Sequence, residues 1–127
     1  VAPISQFLKN GLRVGLATDV AGGSQENLLR AMAHSIQASK LRWRLLDQSV
    51  APLTFDQAFY LATMGGGAFF GKVGSFLEGY ECDAVVLDDS SLDHPQELDV
   101  RARMERAVYL ADDRNITAKF VAGEQIF

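Results

Sequence analysis

Apolar positions Ile4, Phe7 and Leu8 recur at helical spacing, and Asn10-Gly11 supplies a stop, so Pro3–Asn10 reads as a short helix. The rhythm then changes. Leu12–Ala17 places Val14 and Leu16 in a short apolar run, the pattern of a buried strand, which ends abruptly on Thr18-Asp19. Gly22-Gly23 mark a loop, and the helical period returns from about Ser24 to Trp43, where Leu28, Leu29, Met32, Ala33, Ile36 and Trp43 share one face. Ser24 is the expected N-cap, with Glu26 near the positive end of the helix dipole and spaced to pair with Arg30. His34 falls on the opposite, polar face and reads as solvated.

Arg44–Pro52 has no period and reads as a linker. In Thr54-Phe55-Asp56-Gln57, threonine caps the helix start and glutamine reaches back, a capping box. Phe55, Ala58, Phe59 and Ala62 then line one face. Gly65-Gly66-Gly67 follows a helix rather than a strand and lacks the lysine of a phosphate loop, so it reads as a tight helix–helix joint where backbones approach. From Gly74 the signal is β. Gly74–Glu81 predicts a short strand and turn, and Asp83–Asp88 a second strand with an apolar centre. Cys82 beside it reads as a small buried filler. After the polar loop Asp88–Gln96, Asp99 opens a helix with the stripe Val100, Met104, Ala107, Val108 and Ala111. Asp112–Asn115 is a turn, and Ile116–Phe127 a hairpin folded at Ala122-Gly123.

Strand, loop and helix with a carboxylate where the strand runs out is the arrangement in which α/β folds gather chemistry, and it singles out Asp19. An aspartate before small residues also makes turns and caps, so position alone leaves both roles open. Composition narrows the field only a little. The 127 residues suit one domain's worth of core, and the net charge of −4 gives no support for a nucleic-acid partner. No apolar run is long enough for a membrane span. The single cysteine excludes an internal disulfide and fits a reducing, cytoplasmic compartment. The chain opens on Val1 rather than Met, so its true start is expected elsewhere. Two further observations point to a piece of something larger. Leu12–Ala17 has no parallel partner strand nearby in the sequence, and His34 and His94 are too few to make a catalytic zinc site.

Taken together, the stretches resemble a known family. Leu12-Arg13-Val14-Gly15-Leu16-Ala17-Thr18-Asp19 resembles the last barrel strand of the amidohydrolase superfamily, although Ala17 stands where that family usually has glycine. Leu53–Gly71, especially Ala58–Gly66, resembles the following helix of its deaminase branch. Gly74-Ser75-Phe76, Gly79 and Asp83–Asp88 look like the strands that lead back to the small β-domain. Tyr109–Ile116 and Phe120–Ile126 are similar to the ending of guanine deaminases. The resemblance implies an α/β fold: the C-terminal fragment of a metal-dependent (β/α)8 barrel over residues 1–72, and part of a small β-sandwich domain over 73–127. It implies a zinc enzyme that hydrolyses guanine to xanthine and ammonia, as the function of a longer parent and not of this chain alone. Asp19 would be both metal ligand and catalytic proton acceptor for one zinc ion, with the remaining ligands and the guanine-binding residues upstream. Asp112, Asp113 and Arg114 are read as structural. A homodimer is expected, with no nucleic-acid or membrane partner. The rival readings are a deaminase or chlorohydrolase acting on a related heterocycle, and a non-catalytic packing module.

Overall fold

Asn27, not Ser24, starts the longest helix. In a computed structural model that describes residues 1–127, the Asn27 side-chain oxygen accepts hydrogen bonds from the amides of Leu29 and Arg30 at 2.9 and 3.3 Å. Asparagine caps as well as serine does, and the chain from Ser24 to Glu26 stays outside the helix. The Glu26–Arg30 pair is therefore not made. Arg30 instead donates to the carbonyl of Tyr109 at 2.5 Å, tying this helix to a distant one. The helices are α1 (Ile4–Lys9), α2 (Leu28–Leu45), α3 (Phe55–Tyr60) and α4 (Val100–Leu110).

The core forms where α2, α3 and α4 meet. Met32, Ala33 and Ile36 of α2, Leu53, Phe55 and Ala58 around α3, Leu61 just beyond it, and Val108 of α4 make one buried cluster. The periodic face read for α2 is right over its first half only. Trp43 lies outside the core, and Val100 at the start of α4 is also exposed. Leu53, just past the supposed linker, is by contrast almost fully buried. The expected capping box closes α3: Thr54 Oγ1 accepts from the Gln57 amide, and Gln57 Oε1 accepts from the Thr54 amide.

A three-stranded sheet is built from the chain on either side of α4. Strands β1 (Ala84–Leu87), β2 (Ile116–Val121) and β3 (Glu124–Gln125) lie in that order, all antiparallel, with Ala84 opposite Phe120 and Val121 opposite Glu124. The β2–β3 turn is the expected one. Ala122 and Gly123 take φ of 50° and 82°, the two left-handed positions of a tight hairpin, and Asp83 Oδ1 accepts from the Ala122 amide at 2.8 Å. Gly74–Glu81 forms no strand. Gly74 and Gly79 both sit at positive φ and bend the backbone out of any ladder, leaving Phe76 exposed. Cys82 is exposed as well, because its neighbours belong to a sheet with open faces.

Asp112–Asn115 joins α4 to β2 and is structural in the manner expected. Asp112 Oδ1 accepts from the Arg114 amide at 3.0 Å, and the Arg114 guanidinium grips both oxygens of the same carboxylate. Asn115, which the sequence pattern did not single out, is the one buried polar residue. Its Oδ1 accepts from the Asp112 amide, and its Nδ2 donates to the Asp88 carbonyl and to Ser91 Oγ, fixing β1's exit to β2's entry.

Leu61 is fully buried, so Leu61→Ala should cost about 2–5 kcal/mol of unfolding free energy in urea, whereas exposed Phe70→Ala should change it by less than about 0.5 kcal/mol. The side-chain and backbone hydrogen bonds from Arg114 hold the Asp112 carboxyl down at about 2. Its folded value is below the ordinary ~3.9 of an unfolded chain. The stability it contributes is thus present above about pH 4 and is lost as pH falls toward about 2. Urea midpoints measured between pH 5 and 2 should fall less steeply in Asp112→Asn than in the parent chain.

Candidate functional site

Residues 12–18 run extended but join no ladder, because this chain has no strand beside them. The period of two survives in their burial. Val14, Leu16 and Thr18 are half-buried toward the helices, while Arg13, Gly15 and Ala17 are exposed. Val14 and Leu16 pack on the core cluster. Leu16 donates its amide to the Leu61 carbonyl at 2.9 Å, and the other amides from Arg13 to Thr18 find no backbone acceptor.

The glycine run does let backbones approach, but it joins a helix end to this extended segment instead of to another helix. Beyond α3 the chain widens into a π-turn over Leu61–Gly65, with the Gly66 amide reaching the Leu61 carbonyl. A Cβ on Gly15 would lie 2.9 Å from the Gly66 Cα, and one on Gly65 would lie 2.7 Å from the Val14 carbonyl oxygen. Side chains at either place would push the two backbones apart. The segment leading to Asp19 is held on this face at main-chain distance.

Asp19 itself turns the chain. Its φ is 53° and that of Ala21 is 79°, so two non-glycine residues occupy the left-handed region within three positions. Aspartate tolerates that conformation; alanine is strained in it. The Asp19 carbonyl accepts from the Gly22 amide at 2.9 Å and also from the Gly23 amide, which closes the turn. Gly23 packs against the Thr18 carbonyl with no room for a side chain. The residue is exposed, and its carboxylate takes part in none of the ion pairs, all of which lie on Arg101, Arg103 and Arg114.

The other candidates are not brought to it. His34 is exposed on α2 with Gln25 Nε2 at 3.5 Å from its Nδ1, and His94 is held in its own loop by the Gln96 amide. No three histidine, cysteine, aspartate or glutamate side chains are grouped to hold a metal ion. A metal at Asp19 would find one donor from this chain, and a full ligand set would need residues from outside it. Two concavities, one lined by Pro3, Gln6, Arg42 and Trp43 and the other by Leu8, Pro52 and Thr54, are not lined by Asp19. No helix is long and apolar enough to cross a membrane.

Comparison with known proteins gives this loop its context. The chain is 34% identical over 136 residues to the guanine deaminase of Homo sapiens and 28% identical over 130 residues to that of Dictyostelium discoideum, 97% of the chain being covered in each case. It is similar in structure to the guanine deaminase of C. acetobutylicum, solved with guanine bound in its active site, with a TM-score of 0.92 and 44% identity over 98% of the chain. The chain spans 29% of the length of those two curated relatives and 30% of the solved one. The amidohydrolase family model matches residues 1–126, and the chain belongs to that family.

Proposed function

We propose that this chain is part of a guanine deaminase, in which Asp19 is the proton-accepting carboxylate at the mouth of a (β/α)8 barrel. Residues 1–72 are then the last barrel strand with its flanking helices, and residues 73–127 part of a small β-domain. The observation that carries the reading is the exposed Asp19 carboxylate at the end of an extended segment that is covered on one face and unpaired along its edges. Its likeness to guanine deaminases along nearly its whole length supports the choice of substrate.

In the longer protein, Asp19 would hold a zinc ion together with ligands from outside this chain. A zinc ion bound there would lower the pKa of a coordinated water to about 7, so that it could give up a proton near neutral pH. Asp19 accepts the proton that the water gives up as its oxygen bonds to the purine carbon bearing the exocyclic amine. That carbon becomes tetrahedral. Asp19 then returns the proton to the amine, the carbon–nitrogen bond breaks, and ammonia leaves. The water's second proton ends on the ring nitrogen, and the product is xanthine. Residues of this chain thus supply the base and its placement, while recognition of the base falls to the rest of the protein.

The longer protein is read as a homodimer; exposed Phe69, Phe70, Phe76 and Leu77 are faces that either its further residues or a second copy would cover. One thiol and no disulfide are in keeping with a reducing, cytoplasmic setting.

The test is steady-state turnover of guanine by the longer protein, with metal analysis. Asp19→Asn keeps the size of the side chain but cannot accept a proton at neutral pH, so turnover should fall about 10²–10⁴-fold. Asp112→Asn and His34→Ala should stay within about tenfold of the parent, under about 1.4 kcal/mol of barrier. Near-normal turnover by zinc-loaded Asp19→Asn would reduce the carboxylate to a turn former. Turnover of another heterocycle far above that of guanine would move the protein to a different deaminase.

A further inference from the structure

Gly22 and Gly23 look interchangeable in the sequence, but their surroundings differ in kind. A Cβ on Gly23 would meet the backbone carbonyl of Thr18, which cannot move without undoing the turn. A Cβ on Gly22 would meet the Asp19 carboxylate: it would lie 2.7 Å from Oδ2, 3.2 Å from Cγ and 3.4 Å from Oδ1. Gly22 does not lie in the left-handed region, so its backbone accepts alanine without strain. The conflict falls on the tip of a short, exposed side chain that can rotate away. Replacing Gly22 would therefore leave the fold intact and turn the carboxylate.

We infer that Gly22 is a positioning residue for Asp19: its missing side chain leaves the space in which the carboxylate lies, and so sets the direction its two oxygens face. The inference rests on the reading of Asp19 as zinc ligand and proton acceptor. A carboxylate with both duties has to present one oxygen to each, so a rotation that leaves the backbone unmoved disturbs both. Changes outside the ligand set that disturb how a metal ligand is oriented typically cost about 10–100-fold in affinity or activity.

The experiment uses the longer protein and compares Gly22→Ala with Gly66→Ala, where a Cβ meets nothing closer than the Leu61 carbonyl at 3.4 Å. The readouts are kcat and KM for guanine, the free zinc concentration that half-loads the metal-free protein, and the urea midpoint. For Gly22→Ala, kcat should fall and the half-loading concentration should rise, each by about 10–100-fold. KM and the urea midpoint should hold. Gly66→Ala should match the parent throughout. In the Asp19→Asn background, Gly22→Ala should add no further loss of kcat, because both changes act through one carboxylate. Parental kcat and zinc loading in Gly22→Ala would overturn the inference, as would loss of folding or a loss that multiplies through in the Asp19→Asn background. Failure of the Asp19 reading is distinct: Asp19→Asn alone would then retain turnover.

Discussion

The Leu16 amide meets the Leu61 carbonyl because the backbones on either side carry no obstacle. Gly15 lies against the Gly66 Cα and Gly65 against the Val14 carbonyl, at separations that leave no room for a Cβ. The π-turn over Leu61–Gly65 matters here because it ends α3 against the extended segment. Val14 and Leu16 reach the same core that α2, α3 and α4 share. Through this contact the burial of Leu61 and Val108 is connected to the place where Asp19 emerges. The turn that follows is strained at Ala21 and closed by two amides on one carbonyl, so the place where the Asp19 side chain leaves the backbone is set by the packing behind it.

The segment is also the least self-sufficient part of the chain. Hydrogen-bonding groups along its edges lack the neighbours that a strand normally has, and exposed backbone edges favour pairing with another chain or segment. The three-stranded sheet has the same character, with Val85 and Val86 of β1 exposed and β1 at the edge. A chain that spans 29% of its curated relatives has surfaces that those proteins have further residues to cover.

Local chemistry was legible in the sequence at most places where a cause and its effect lie a few residues apart. The Thr54–Gln57 box, the Asp99 cap, the Ala122-Gly123 turn and the Asp112–Arg114 pairing each depend on neighbours within about one turn of chain. Asp19 stood out for the same reason, because an apolar run ends on it. The Asn27 cap, expected at Ser24, is a local miss, and the others depend on residues far away. Arg30 could pair with Glu26 by spacing, but the Tyr109 carbonyl lies within its reach in the fold. Asn115 reads as a turn residue until Asp88 and Ser91 are seen around it. Cys82 and the Gly74–Glu81 segment were assigned from apolar and β-favouring neighbours, yet this part of the chain lacks a second layer to bury them. Leu12–Ala17 has strand composition and strand alternation without a partner, so the pattern fits a paired environment that the residues of this chain do not supply.

That environment is directly measurable. Amide hydrogen exchange across residues 13–18 should differ between this chain alone and the longer protein. In the chain alone, Leu16 should exchange more slowly than Arg13, Gly15 and Ala17, since its amide has an acceptor and theirs do not. In the longer protein, if the segment is a barrel strand ending at a catalytic carboxylate, all of these amides should be slowed by at least about 100-fold relative to the chain alone. Free exchange at Arg13, Gly15 and Ala17 in the folded longer protein would contradict a barrel strand, and with it the placement of Asp19 at a barrel mouth.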